Sequence, residues 1–228
     1  DGVVTTKLNK KKFVDVREKS GIYSSAIGFA HGVAVGDSNE DGWEDIFVSN
    51  DFFEYDYLYL NNGDKTFTES IKKAAKHISN FSMGNDLADF NNDGLLDLIV
   101  LDMVAEDNRR LYANTGGMDQ QRFERSIQNG LHYQYMFNVL HLNNGNETFS
   151  EIGMLAGISR TDWSWAPILA DFDNDGYKDL YVTNGIRKDI RDIDWGISYR
   201  SLTQFVSNFT ELKPSQWDML LNSLPYEP

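Results

Sequence analysis

The 228-residue chain contains no cysteine. That absence excludes a disulfide framework, an iron–sulfur cluster, a thiolate zinc site and a cysteine nucleophile, while leaving the compartment open. No stretch approaches the ~18 consecutive apolar residues of a membrane helix. Basic residues are scarce: 21 Lys and Arg stand against 35 Asp and Glu, for a net charge of −14. With no basic block, the chain is a poor binder of nucleic acid and of anionic membranes, and no nucleic-acid partner is expected. Neither Gly-x-Ser-x-Gly nor His-Glu-x-x-His occurs, and His31, His77, His132 and His141 are scattered. No signal-peptide pattern follows Asp1, so the chain is expected to be a mature form, an excised piece or cytosolic. Hydrophobic residues at 41% and aromatics at 13% make it globular.

The acid that is present is concentrated. Asp37–Asp45 (DSNEDGWED), Asp89–Asp97 (DFNNDGLLD) and Asp171–Asp179 (DFDNDGYKD) all fit D-x-[ND]-x-D-G-x-x-D, and their only base is Lys178. Alternate residues of a tight loop aim their oxygens at one centre. Position 1 supplies Asp37, Asp89 and Asp171; position 3 supplies Asn39, Asn91 and Asp173; position 5 supplies Asp41, Asp93 and Asp175. A glycine at position 6 permits a sharp turn. The backbone carbonyl of position 7 (Trp43, Leu95, Tyr177) and the carboxylate of position 9 (Asp45, Asp97, Asp179) complete an all-oxygen cage. Such a cage suits Ca²⁺, which takes about 6–8 oxygens, better than Mg²⁺. About three ions are expected. The bland alternative is three acidic turns without metal, since Asp, Asn and Gly are ordinary turn formers.

These loops are not EF-hands. An EF-hand needs Glu at position 12, where this chain has Val48, Val100 and Val182. Short apolar runs flank each loop, so it joins two strands rather than two helices. A second motif repeats in phase. Leu58–Phe67 (LYLNNGDKTF) matches Leu140–Phe149 (LHLNNGNETF), with a degraded copy at Leu8–Phe13. Asn-Gly between alternating apolar residues marks a hairpin. Phe67 precedes Asp89 by 22 positions, as Phe149 precedes Asp171. Each unit therefore reads strand, Asp-rich loop, strand, link, strand, Asn-Gly turn, strand. That is a four-stranded antiparallel meander, the unit of a β-propeller.

The loops together with LYLNNGDKTFTES resemble the FG-GAP (VCBS-type) repeats of the integrin α-chain propeller. The segments Ser82–Met103 and Thr161–Gly185 are similar to the ASPIC/UnbV and cartilage acidic protein group and to surface proteins of Bacteroidetes. The resemblance implies an all-β fold, a β-propeller segment of about three blades, with one Ca²⁺ per blade held between its first two strands. Residues 1–185 are assigned to the blades, the first of them partial. An insertion occupies about 103–138, and 186–228 form a helical insertion or linker to a following blade. The resemblance and the calcium argument imply a secreted or cell-surface protein, associated with a bacterial outer membrane. Its expected role is non-enzymatic adhesion or capture of a protein or glycan ligand.

The remaining residues leave alternatives open. Phe123, Ile127 and Leu131 recur at helical spacing, predicting an amphipathic helix over about 118–129 that contacts a partner or covers a blade edge. Leu202, Phe205, Val206 and Phe209, and then Trp217, Leu220, Leu221 and Leu224, predict two helices in the tail. Trp163, Trp165, Tyr133 and Tyr135 are candidates for stacking on a sugar, or core aromatics. Asn50, Asp102 and Asn184 end the second strand of each unit and either line one propeller face or cap the strand. A calcium-dependent polysaccharide lyase is the alternative function. It would draw Arg109, Arg110, His132 or Tyr133 from the insertion.

Overall fold

A computed structural model describes residues 14–23, 25–114 and 120–185. The degraded hairpin at Leu8–Phe13 and the expected tail helices lie outside the described residues.

The short helix α1 (Arg17–Ser20) precedes strand β1 (Ala30–Gly36). The first Asp-rich loop leads into β2 (Asp45–Asn50), which is followed by β3 (Tyr57–Asn61), the Asn-Gly turn and β4 (Phe67–Glu69). These four strands pair antiparallel in chain order and form the first blade. A helical turn α2 (Ile71–Ala74) and β5 (Ile78–Ser79) lead to the second blade. It begins with β6 (Asn85–Ala88), the second loop and β7 (Asp97–Val100). The insertion then contributes β8 (Met103–Val104), α3 (Asn108–Asn114), α4 (Gln120–Gln128) and β9 (Gln134–Tyr135). After it, β10 (Val139–Asn143) and β11 (Phe149–Glu151) complete the second sheet in the order β6-β7-β10-β11. In the third blade, β12 (Asp162–Ala170), the third loop and β13 (Asp179–Asn184) supply the first strand pair. The strand–loop–strand–link–strand–turn–strand order read from the repeats is thus present twice in full. The chain is an all-β propeller segment.

Successive blades stack face to face, with the first strand of each lying against the next: β1 on β6, and β6 on β12. A strand presents alternate side chains to opposite faces. The second blade uses both. Leu98 and Val100 enter one cluster with Phe47, Leu58, Ile71 and Ile78 of the first blade and its α2–β5 link. Ile99 and Leu101 enter another with Leu169, Leu180 and Val182 of the third. Leu98, Ile99, Val100 and Leu101 are each at most 1% exposed, which is why the sequence here is a continuous apolar run rather than an alternating one.

The insertion braces one blade to the next. Strand β8 joins the third sheet, pairing Val104 with Asp162 and Met103 with Trp163. From α3, Arg110 holds Asp162 through both guanidinium nitrogens at 2.7 and 3.0 Å. The expected amphipathic helix is α4, whose Phe123 ring lies 5.4 Å from that of Tyr135. Strand β9 pairs in parallel with β5. Neither α3 nor these two short pairings is marked in the sequence.

The polar residues at the ends of the second strands act as caps. Asn50 N–H donates to Asp56 Oδ1 at 2.8 Å, just as Asp102 N–H donates to Asn138 Oδ1 at 2.7 Å. Asp56 and Asn138 occupy the same place, immediately before the third strand. Each also reaches the next blade: Ser82 Oγ bonds Asp56 Oδ2 at 2.8 Å, and Asn138 Nδ2 donates to Thr161 Oγ1 at 2.6 Å. Asp102 accepts from Ser79 Oγ at 2.7 Å. Asn184, at the edge of the third blade, is exposed.

Burial pushes Asp56 up to about 8, against hydrogen bonds from Asn50 and Ser82 that favour the anion. The folded chain therefore keeps a proton that the unfolded chain releases above about pH 4. Stability contributed by protonated Asp56 is full below that pH and is lost as pH rises through about 8. Asp56→Asn keeps the bond from Asn50 N–H and reverses the one to Ser82, its Nδ2 donating to Ser82 Oγ as Asn138 Nδ2 donates to Thr161 Oγ1. In urea unfolding at fixed low salt, the variant is expected to gain about 1–3 kcal/mol at pH 8 and nothing at pH 4. An unchanged difference across that range would contradict the assignment.

Candidate metal centres

The three Asp-rich loops fold alike. In each, the position-1 carboxylate accepts the backbone N–H of positions 5 and 6. Asp41 and Gly42 donate to Asp37 at 3.1 and 2.8 Å, Asp93 and Gly94 to Asp89 at 3.1 and 2.9 Å, and Asp175 and Gly176 to Asp171 at 3.1 and 3.0 Å. The position-3 oxygen also accepts the N–H of position 5, at 3.1–3.2 Å. The position-5 carboxylate accepts the N–H of position 7, at 2.8 Å in all three. Glycine is required at position 6 because φ is 86°, 93° and 92° at Gly42, Gly94 and Gly176.

Position 9 ties each loop to its sheet. Asp45 Oδ2 accepts Ser38 N–H at 3.0 Å, and its Oδ1 accepts Asn61 N–H of β3 at 2.8 Å. Asp97 repeats this with Phe90 N–H at 3.1 Å and Asn143 N–H of β10 at 2.9 Å. Asp179 accepts Phe172 N–H at 2.9 Å. Asp45 and Asp97 are buried, at 1% and 0% exposure, whereas Asp179 is exposed. Burial pushes Asp97 up, helped by Asp93 and Asp89 and opposed by the two backbone donors.

The carboxylates of Asp171, Asp173 and Asp179 place one oxygen each within 4.8 Å of one another. Asp175 is outside that group. In the first two loops position 3 is Asn, and its amide nitrogen reaches the position-5 carboxylate: Asn39 to Asp41 at 3.0 Å, Asn91 to Asp93 at 2.8 Å. The third loop has a carboxylate instead, so its mutual repulsion is larger. Oxygen-only donors fit a hard cation, and each position-1 carboxylate oxygen accepts one N–H and keeps a second lone pair, whereas Asp45 Oδ2 is taken by both the N–H and the hydroxyl of Ser38. At position 7 the side chain packs over the Asn-Gly turn. A Cβ built on Gly63 would lie 2.8 Å from Trp43 Nε1, and one on Gly145 3.4 Å from Leu95 Cδ1. Tyr177 is exposed.

The other candidates are dispersed. Trp163 is buried at 5% exposure, whereas Trp165 is 41% exposed, with its ring edge-on to His31 at 6.0 Å. Tyr135 stacks on Phe137 at 5.9 Å, and Tyr133 is exposed beside Phe123. Among the described residues no ring contact joins the tryptophan pair to the tyrosine pair. Of the residues named for a lyase, Arg110 is engaged by Asp162 and Arg109 is exposed on α3. His132 is buried with Nε2 3.0 Å from Ala75 O, and burial pushes its pKa down.

A further feature is not evident from the motifs. A cleft of about 720 Å³ opens beside the first loop, lined by Asn39, Asp41, Trp43, Asn62, Lys72 and Glu147, among others. The motif singles out Trp43 only for its carbonyl, yet its side chain is 52% exposed in this cleft. The available signal is its size, at a turn position that Leu95 fills in the next blade.

The family model for the FG-GAP-like repeat matches residues 37–100 and 103–182, and the chain belongs to this family. No curated protein matches the chain.

Because Asp97 satisfies two backbone donors, Asp97→Ala is expected to destabilise the fold by at least about 2 kcal/mol and so lower the melting temperature both in calcium and in chelator. Asp93→Ala, at an exposed position, should lower it in calcium alone. Equal behaviour of the two variants in chelator would remove the structural role of position 9.

Proposed function

We propose that this chain is a calcium-stabilised β-propeller module of a secreted or cell-surface protein, acting by adhesion or ligand capture rather than catalysis. The observation that carries the metal reading is the threefold repetition of one loop geometry. Asp, Asn or Asp, and Asp stand at positions 1, 3 and 9, with the same backbone donors each time. Extracellular calcium modules bind at roughly 10⁻⁴–10⁻³ M, a range matched to the calcium outside cells. Three divalent ions would offset six of the 14 net negative charges. Among the described residues no helix is long and apolar enough to cross a membrane.

Two exposed surfaces support a larger assembly. Val33 and Val35 of the first blade are 65% and 54% exposed, and Ile168 and Tyr181 of the third are 47% and 57% exposed. They occupy faces equivalent to those buried between blades, so further blades of a longer chain are their natural cover. The cleft at Trp43 is the place for a glycan. A half-exposed indole offers a sugar ring an apolar face, and amide and charged groups stand beside it.

Asp173→Ala is expected to lower the melting temperature by about 3–6 °C at tenfold saturating calcium, and to change nothing in chelator. Equal losses in both conditions would overturn the metal reading. On an array of neutral and uronate oligosaccharides, saturable binding should weaken at least about tenfold in Trp43→Ala. Binding indifferent to that substitution would move the ligand site elsewhere.

A further inference from the structure

Neighbouring loops are joined by two asparagines that stand outside the oxygen cages. Asn143, 4% exposed, ends β10. Its backbone N–H holds Asp97 Oδ1, in the second loop, at 2.9 Å. Its side-chain amide donates to Leu96 O of the same loop at 3.0 Å and to Ser38 O of the first loop at 2.8 Å. Its Oδ1 accepts Gly145 N–H at 3.0 Å. Ser38, 4% exposed, in turn donates its backbone N–H and hydroxyl to Asp45 Oδ2. A buried chain of hydrogen bonds thus runs from Asp97 through Asn143 and Ser38 to Asp45, linking the ninth-position carboxylates of two loops. The second link is shorter. Asn92, the fourth residue of the second loop, donates from Nδ2 to Gly176 O of the third loop at 2.8 Å.

A loop without its cation keeps its carboxylates under mutual repulsion, and only their N–H donors hold them in place. A cation draws those oxygens together and adds to the backbone donors that already hold the ninth-position side chain. Through Asn143 that fixes Ser38; through Asn92 it fixes the backbone around Gly176. The adjoining loop is then partly ordered before its own ion arrives, so less conformational entropy is lost on binding. Linkage makes the effect reciprocal.

We infer that the three loops fill cooperatively, with Asn143 coupling the first loop to the second and Asn92 coupling the second to the third. Both are positioning residues. The inference rests on the metal reading above.

The test is calorimetric Ca²⁺ titration of the full chain and three variants: Asn92→Gly, Asp171→Ala and the double substitution. Asn92 has φ 61°, which Gly adopts freely, so Asn92→Gly removes the cross-loop donor alone. Asp171→Ala disables the third loop. With Asn92 in place it should weaken the second loop's ion by about fivefold or more. Combined with Asn92→Gly it should leave that ion's affinity unchanged. A merely structural Asn92 would weaken binding by the same factor with or without Asp171, and that additive result overturns the coupling while leaving the metal reading intact. Stepwise binding with no effect of Asp171→Ala on the remaining ions overturns it in the same way. Absence of binding by the unmodified chain overturns the metal reading and this inference together.

Discussion

A chain that reverses within nine residues leaves several backbone N–H groups with no partner in either strand it joins. Those that position 9 accepts in the first two loops are wholly or partly buried and must be satisfied, while those at positions 1 and 5 lie at the surface. Here carboxylates accept them: position 1 takes two, position 5 takes one, and position 9 takes one from the loop and, in the first two blades, one from the third strand. The solution creates its own difficulty. In the third loop the carboxylates of Asp171, Asp173 and Asp179 place one oxygen each within 4.8 Å of one another, in the first two loops Asp45 and Asp97 are buried, and the only base in the three loops is Lys178. N–H dipoles offset part of that repulsion. A divalent cation, the proposed occupant, would offset the rest through the lone pairs that the position-1 oxygens keep beyond their single N–H bonds.

The same economy governs how blades adhere. Apolar faces supply the area, and a small set of polar groups sets the register. Asp56 and Asn138 close the link before the third strand and reach a hydroxyl of the next blade, Ser82 or Thr161. Asp86 of β6 accepts Leu169 N–H of β12 at 2.8 Å. At the opposite end, Asn143 and Asn92 connect the loops themselves. The two clusters of the second blade therefore lie between polar joints at both ends. The insertion adds a third joint at the strand-end side, through β8 and the Arg110–Asp162 pair.

Much of this was legible because turn chemistry is local. An Asp-rich loop needs Asp or Asn at set positions and Gly at position 6, and an Asn-Gly hairpin needs a residue free to adopt positive φ, so both announce themselves in sequence. In-phase spacing then fixed the blade order, and the i, i+4 recurrence of Phe123 and Ile127 located α4. What escaped is long-range. Met103 and Val104 are two residues whose partners lie about sixty positions later, and no periodicity marks so short a strand. Trp163 and Trp165 sit two apart, yet a bulge in the β12–β13 register between Ser164 and Ala166 intervenes, and one is buried while the other is half-exposed. The cross-loop bonds of Asn143 and Asn92 use the same residue type that turns favour anyway, so nothing in their identity distinguished a turn former from a joint.

Ions in the loops are the central claim, and native mass spectrometry of the chelated chain after calcium is restored reads them directly. Successive adducts ending at three Ca²⁺ per chain, falling to two in Asp171→Ala, are the predicted result. A spectrum with no discrete adduct at millimolar calcium, or one identical in Asp171→Ala, would contradict it.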